Sequence, residues 1–136
     1  MDMNEFNKNV IAEFRENDGV VGGPFEGQAM ILVHHKGART GTDRVTPLVY
    51  RAEGDAWVIF ASKAGAPDNP DWYHNLMAHP ATVIEVGSET IEVVAVEAVD
   101  DERTRIWEAQ KVDAPQFADY DAKTDRTIPV IVLSRR

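Results

Sequence analysis

Apolar residues recur with the period of a helix in four parts of the chain. Phe6, Val10, Ile11 and Phe14 are set among polar residues, which predicts an amphipathic helix over residues 4–16. Its polar face mixes glutamates with lysine and arginine, so we expect it to pack on its own domain rather than on a membrane surface. Further helices are predicted from Pro70 to His79, from an Asp100 or Asp101 cap to Val112 with Ile106, Trp107 and Val112 inside, and from Pro115 to Tyr120.

Short apolar runs between turn residues predict strands. Several of these runs are apolar on both faces, which is typical of strands buried on both sides, as in a closed or nearly closed barrel. Gly87-Ser88 suits a type II′ hairpin, and Pro129 predicts an edge position or the entry to a strand. The predicted strands are residues 29–34, 45–52, 56–61, 82–86, 90–99 and 128–133. The pattern indicates a single β-rich α+β domain over residues 1–136.

Residues 34–50 are the most basic part of an acidic chain. They include Lys36, Arg39 and Arg44 against one acid, Asp43, although the formal net charge of the protein is −9. Two glycines bracket the cations, and arginine offers a planar set of donors suited to phosphate or carboxylate. The stretch therefore predicts an anion-binding loop. The alternative is a polar hairpin loop whose charges only keep it in solvent.

A second informative stretch covers residues 62–80. Ser62 and Lys63 place a hydroxyl and an ammonium group directly after a strand, and Pro70 suits the first turn of a helix. Trp72 and Tyr73 then begin an apolar stripe on that helix. They could contact a bound ring, or they could be ordinary core aromatics.

Composition excludes several classes of function. A net charge of −9 argues against a nucleic-acid partner, and the absence of cysteine excludes disulfides and zinc–thiolate sites. The four histidines lack metal-like spacing, so no metal site is expected. No apolar run approaches the roughly 20 residues of a membrane span, and the N-terminal residues do not form a secretory signal. The expected compartment is the cytoplasm.

Three segments together resemble one known family. They are GARTGTDRVTPLVY (residues 37–50), VIFASKAGAPDNPDWYHNLMAHP (residues 58–80) and YDAKTDRTIPVIVL (residues 120–133). The combination resembles the deazaflavin-dependent nitroreductases, a split β-barrel group of actinobacterial and mycobacterial proteins that use reduced coenzyme F-420. The resemblance implies an α+β, mainly antiparallel split β-barrel with flanking helices and a cofactor groove on its surface.

The resemblance also implies roles for individual residues. Ser62 would orient the ring or the substrate, and Tyr120 would line the substrate pocket and supply a proton to the reduced product. The cofactor carries the hydride, so the protein supplies position and polarity. The residues expected to contact the cofactor are Lys36, Gly37, Arg39, Thr40, Gly41 and Arg44 at its lactyl phosphate and oligoglutamate tail, Val45, Thr46, Pro47, Leu48, Ala61, Ser62, Lys63 and Ala64 at its ring, and Pro70, Trp72, Tyr73 and Asn75 on the other side.

The chain also departs from the family pattern. Family members can carry three tyrosines before the T-D-R motif, whereas this chain has Ala114, Phe117 and Tyr120, which puts the reduction of bulky nitro compounds in doubt. Ala38 replaces a basic residue of the tail loop. The N-terminal extension is short, so any membrane association is expected to be weak. We expect a monomer or a homodimer.

The resulting hypothesis is an F-420H₂-dependent oxidoreductase that reduces a quinone, an activated enone or a nitro compound. Two alternatives share its fold. One is a reductase that uses FMN, which has a phosphate but no glutamate tail, and the other is a non-catalytic deazaflavin-binding protein. A plain structural β domain would require the motif matches to be accidental.

Overall fold

The apolar runs of the sequence form one seven-stranded antiparallel sheet in the computed structural model, which describes residues 3–136. Residues 1 and 2, part of the predicted domain, lie outside this range. The strands are β1 (Met30–Lys36), β2 (Asp43–Val49), β3 (Arg51–Glu53), β4 (Ala56–Phe60), β5 (Ala81–Val86), β6 (Glu89–Glu97) and β7 (Val130–Arg135). The helices are α1 (Met3–Glu16), α2 (Asp71–Ala78), α3 (Asp100–Asp113) and α4 (Gln116–Lys123).

The order of the strands explains why the sheet curls. It runs β2-β1-β5-β6-β7-β4-β3, so β2 and β3 form its two edges. These edge strands are consecutive in the chain and are separated only by Tyr50. A flat sheet would hold its two edges several strand spacings apart, so the chain can join them only if the sheet bends round on itself. This confirms the expected split barrel.

Apolar side chains on both faces of the strands divide the core into three parts. Ile31 and Val33 of β1 point into the barrel, whereas Met30 and Leu32 pack under α1. Val10 and Phe14 of α1 are buried in the same outer cluster, with 6% and 1% of their surface exposed. The apolar face of α1 therefore packs on the barrel, as predicted. A third cluster joins β4 and β7 to α3 and α4.

The predicted strand over residues 45–52 is wrong in two respects. The structure starts β2 at Asp43 and breaks the run at Tyr50, so that β2 pairs with β1 and β3 pairs with β4. The residue pattern does not show this break, because Tyr50 is itself a residue type that favours strands. The hairpin loop itself is short, and Arg44 belongs to a strand.

The prediction for α3 needs two corrections. Val99 is the N-cap, and no side chain caps the helix, so neither Asp100 nor Asp101 has the expected role. Val112 is 78% exposed, whereas Ile106, Trp107 and Gln110 are buried. The buried positions follow the three- and four-residue spacing of one helix face, and residue 112 lies off that face.

Two smaller predictions stand. Gly87 adopts a φ of +58° between β5 and β6, a left-handed conformation that a primed hairpin turn requires at its first central position. Pro129 directly precedes β7, which is an entry position. Across residues 3–136, no helix is both long and apolar enough to cross a membrane.

Candidate active site

The basic loop, residues 37–42, closes the β1–β2 hairpin and forms one wall of a cavity of about 610 Å³, here called the basic cavity. The Gly37 N–H donates to the carbonyl of Thr42, and the Gly41 N–H donates to the carbonyl of Gly37. A Cβ added at Gly37 would lie 2.7 Å from Oγ1 of Thr40, so a larger residue there would displace the Thr40 side chain. The cavity is lined by Gly37, Ala38, Arg39, Thr40, Arg44, Asp71, His74 and Asn75.

The cations of this region are not neutralised by the protein. Lys36, Arg39 and Arg44 are exposed, and none forms an ion pair with a carboxylate among the described residues. By contrast, Arg51 and Arg105 elsewhere on the surface are each paired with an acid. In a protein of net charge −9, these cations are available to pair with phosphate or carboxylate groups.

A second cavity of about 480 Å³, here called the aromatic cavity, lies against the same β2 strand and the same start of α2. Thr46 to Val49 of β2 form one side, and Pro70 and Trp72 another. Phe60, Ser62, Lys63 and Ala64 lie below them, and α4 contributes Gln116, Phe117 and Tyr120. The remaining lining residues are Phe6, Asn7, Pro24, Phe25 and Gln28.

The ring loop, residues 61–66, has an unusual backbone. Lys63 and Ala64 have φ values of +47° and +53°, in the left-handed region that L residues rarely occupy. Ser62 is right-handed, and a right-handed residue followed by left-handed ones turns successive N–H groups towards one concavity. Within the described chain, the N–H groups of residues 62–64 have no hydrogen-bond partner. They are therefore free to donate to a ligand.

Arg126 holds the ring loop in this conformation. Its guanidinium donates from Nη1 to the carbonyl of Ala61 (3.1 Å), from Nη2 to that of Ser62 (2.9 Å) and from Nε to that of Ala66 (2.9 Å). Nη1 also donates to Oδ1 of Asn69 at 2.6 Å. A planar guanidinium with several fixed donors can satisfy these acceptors together, which an ammonium group cannot. The arginine of the T-D-R motif is thus a structural clamp for the loop.

Aromatic rings form another part of the wall of the aromatic cavity. The ring centroids of Phe60 and Phe117 lie 5.5 Å apart, and those of Phe117 and Tyr120 lie 5.3 Å apart, both edge-on. Trp107 supports Phe60 from the core at 5.6 Å. The hydroxyls of Tyr120 and Ser62 make no hydrogen bond to any described residue, so both can serve a ligand.

A buried polar chain lies between the two cavities. The Ala38 N–H donates to Oδ1 of Asn75 (2.9 Å), Nδ2 of Asn75 lies 2.9 Å from Nδ1 of His35, and Nε2 of His35 lies 2.8 Å from Oγ1 of Thr46. Burial, reinforced by the positive charge of Arg44, lowers the pKa of His35 from its ordinary 6.5 to about 4. His35 is therefore neutral near pH 7.

Most of the residues predicted from sequence line one of these two cavities. Gly37, Arg39, Thr40, Arg44 and Asn75 line the basic cavity. Thr46, Pro47, Leu48, Ser62, Lys63, Ala64, Pro70, Trp72 and Tyr120 line the aromatic cavity.

Five predicted residues lie elsewhere. Lys36 and Val45 line a neighbouring cavity of about 520 Å³, which also includes Arg44. Gly41 shapes the basic loop without lining either cavity, and Ala61 is fully buried. Tyr73 donates its hydroxyl to Oε1 of Glu97 (2.6 Å), and burial together with this bond raises its pKa to about 12.

Sequence reasoning missed three contributions to the site. Arg126 belongs to a recognised motif, but its partners lie some 60 positions away in the chain. His35 gave no signal beyond its place in the basic stretch. Phe6 and Phe25 show that α1 and the segment after it wall the aromatic cavity, which the helix pattern did not reveal. Among the described residues, no group of three or more His, Asp or Glu side chains could hold a metal ion.

Comparison with known proteins adds independent findings. The model of the F-420H(2)-dependent quinone reductase family matches residues 6–135. An F-420H(2)-dependent quinone reductase of Mycobacterium tuberculosis is 40% identical over 129 residues, which cover 92% of this chain and 87% of that protein. A second protein of the same description, from another strain of that species, matches to the same extent.

Solved structures agree with this result. An F-420-H2 dependent reductase (FDR-A) is 33% identical, with a TM-score of 0.71 over 78% of this chain and 94% of that one. Another structure, described as a domain-swapped dimer, is 30% identical, with a TM-score of 0.73 over 96% of both chains.

The motifs, the split barrel and these matches lead to one assignment. The resemblance inferred from the sequence is confirmed, and with it the expected dependence on F-420, whereas nothing found supports FMN. The chain belongs to the F-420H(2)-dependent quinone reductase family, whose members are oxidoreductases that use reduced coenzyme F-420.

Proposed function

We propose that the chain binds coenzyme F-420 across the two cavities and reduces a quinone. The observation that carries the proposal is the succession of wall residues along β2. Arg44 faces the basic cavity, and Thr46 to Leu48 line the aromatic cavity directly after it. The start of α2 repeats this pattern, with Asp71 on one cavity and Pro70 and Trp72 on the other. One ligand with an anionic end and a flat ring fits both.

The donor set of each cavity matches one end of the cofactor. Arg39 and Arg44 offer cations without an ion pair among the described residues for the phosphate and carboxylates of the tail, and Thr40 lines the same cavity. The free N–H groups of Ser62 to Ala64 and the hydroxyl of Ser62 offer donors to the polar edge of the ring. When bound, reduced F-420 supplies the hydride. The side chains fix its position and exclude water.

We place the acceptor beside α4. Tyr120 lines the aromatic cavity, its hydroxyl has no partner among the described residues, and it can donate a proton to an oxygen of the reduced acceptor. Phe117, which is 7% exposed, offers only an apolar ring edge on the same wall. A flat, apolar quinone suits this wall better than a bulky nitro compound that needs several hydroxyl donors.

We further propose that the protein acts in the cytoplasm on a small-molecule substrate. The packing of Val10 and Phe14 under the barrel supports this, because it removes the apolar face of α1 from any membrane surface. Size-exclusion chromatography would separate the two expected states, monomer and homodimer.

Fluorescence titration of the purified protein with coenzyme F-420, and separately with FMN, tests the proposal. We expect tighter binding of F-420, followed by oxidation of reduced F-420 when a small naphthoquinone is added. Preference for FMN would overturn the cofactor. Binding of F-420 without quinone turnover would favour a non-catalytic deazaflavin-binding protein.

A further inference from the structure

We propose that the buried chain Ala38–Asn75–His35–Thr46 fixes the direction of its hydrogen bonds, so that the Thr46 hydroxyl donates into the aromatic cavity. There it would bind an acceptor atom, such as a carbonyl oxygen, on the ring system of the ligand. Thr46 is then a binding residue, and His35 and Asn75 are positioning residues. The identity of the ligand rests on the proposed function, whereas the direction of these hydrogen bonds does not.

This chain of hydrogen bonds starts from a group that can only donate. The backbone N–H of Ala38 lies 2.9 Å from Oδ1 of Asn75, so the amide must present its oxygen to the basic loop. Its NH₂ group therefore faces Nδ1 of His35, 2.9 Å away. Because this NH₂ group has no lone pair available to accept, Nδ1 of His35 must be the acceptor and carries no proton.

The state of His35 follows from this contact. With Nδ1 unprotonated, the ring is neutral and its one hydrogen lies on Nε2. Nε2 is 2.8 Å from Oγ1 of Thr46, so His35 donates and Thr46 accepts. His35 is only 5% exposed, and burial opposes a charged ring. The nearby positive charge of Arg44 acts in the same direction and Asp71 in the opposite one, with the pKa remaining low.

The last step concerns the one hydrogen of the Thr46 hydroxyl. Since Oγ1 accepts from His35, this hydrogen must find another partner, and none exists among the described residues. Thr46 lines the aromatic cavity, which residues 62–64 of the ring loop, with their free N–H groups, also line. The reversed direction, with the proton on Nδ1, would leave only lone pairs of Thr46 for the cavity. The inferred direction therefore adds the Thr46 hydroxyl to the donors of this cavity, which favours a ring that carries acceptor atoms.

The first test needs no ligand. Nitrogen-15 NMR of the histidine side chains should show a protonated Nε2 and an unprotonated Nδ1 for His35, assigned by the signal lost in His35→Gln. A proton on Nδ1 would overturn the proposal, because Thr46 would then donate to the histidine.

The second test compares two substitutions of Thr46. Thr46→Val keeps the shape but removes the hydroxyl, and we expect it to bind F-420 about 3- to 10-fold more weakly, the range of one neutral hydrogen bond. Thr46→Ser keeps the hydroxyl and should bind within about 2-fold of the natural protein. Thr104→Val, which removes a hydroxyl from the exposed face of α3, is the matched control.

The outcomes separate this proposal from the proposed function. Equal affinity of the valine and serine variants, with both folded by urea titration, would overturn the role of Thr46. No binding of F-420 by the natural protein would overturn the proposed function and the choice of ligand. The NMR measurement on the free protein would still decide the direction of the chain.

Discussion

The cations of the basic cavity stand on one hairpin, whereas the walls of the aromatic cavity come from α1, β2, the ring loop, α2 and α4. On the hairpin, Arg39 and Arg44 are exposed, unpaired and held only by the local turn. In the ring loop, backbone strain at Lys63 and Ala64 persists because a distant arginine binds the surrounding carbonyls. Affinity for an anion thus needs only local charge, but orientation of a ring needs the whole fold. Substitutions should therefore have different effects in the two cavities.

The largest effect should come from Arg126→Ala. It removes three hydrogen bonds to carbonyls of the ring loop and one to Asn69, and it takes the donor from the buried carbonyl of Ala61, so the free energy of unfolding should fall by about 2–4 kcal/mol. F-420 affinity should fall as well, although no cation of the basic cavity has changed. Urea unfolding and fluorescence titration measure the two effects.

Two controls sharpen this test. Arg105→Ala removes an exposed arginine paired with Glu53 and should change neither quantity much. Guanidinium ion at low concentration should partly restore F-420 binding to the Arg126→Ala protein. Full affinity without the guanidinium side chain would show that the ring loop holds its shape unaided.

Acid should weaken the hydrogen-bonded chain through His35, which lies between the two cavities. The pKa of His35 is about 4 in the folded protein and near 6.5 when unfolded, so unfolding takes up a proton between these values. The stabilisation from a neutral His35 is fully present above pH 6.5 and is lost as the pH falls to 4, by up to about 3 kcal/mol. Urea unfolding across this range should show the loss in the natural protein and in His79→Gln. A free energy of unfolding that is constant between pH 6.5 and 4 would contradict it.

Arg44→Ala should act mainly on the basic cavity. Loss of one charge-assisted pair should weaken F-420 binding by about 1.5–3 kcal/mol, with little change in stability, since Arg44 has no ion pair to lose. Added salt should weaken F-420 binding by the natural protein more than binding by the variant, because salt screens exposed charges. An unchanged affinity in titration would remove Arg44 from the tail site.

Ser62→Ala should lower turnover about 3- to 10-fold while F-420 affinity changes less. The hydroxyl has no partner among residues 3–136, so its removal leaves no unsatisfied group there and the fold should be unaffected. Steady-state kinetics with a quinone, set beside the titration, separates the two quantities. Equal losses in both would make Ser62 a binding residue only.

The smallest effect on the site should come from Tyr73→Phe. It breaks the bond to Glu97 and should lower the free energy of unfolding by about 1 kcal/mol. F-420 affinity should be unchanged, because Tyr73 lines neither cavity and its hydroxyl is bound to Glu97. A weaker affinity would show that Tyr73 belongs to the cofactor site, as the sequence motif implied.

Tyr73 and Arg126 show what could not be predicted from the sequence. Trp72 and Tyr73 are adjacent in a family motif, but neighbours on a helix point about 100° apart, so only one faces the aromatic cavity. The arginine of the T-D-R motif was visible, yet its role depends on carbonyls that only the folded barrel brings near it. The same holds for His35, whose partners lie on α2 and β2.

Other features could be predicted from the sequence because they depend on neighbouring residues only. Charge, glycine and spacing alone grouped Arg39 with Arg44, and the structure places both at one cavity. The strands were recognised from apolar runs, but the break at Tyr50 was not, because barrel closure rather than residue type sets it. Val112 was placed on the wrong face because its apolar character outweighed helical phase in the prediction.

The position of β7 has a consequence for how the protein is made. It follows every other strand in the chain, yet it pairs with β6 on one side and β4 on the other. A ribosome therefore delivers two separate pieces of sheet, β2-β1-β5-β6 and the β3–β4 hairpin, before the strand that joins them. Until then, β4 and β6 each expose an unpaired edge, the kind of surface on which nascent chains aggregate and chaperones act.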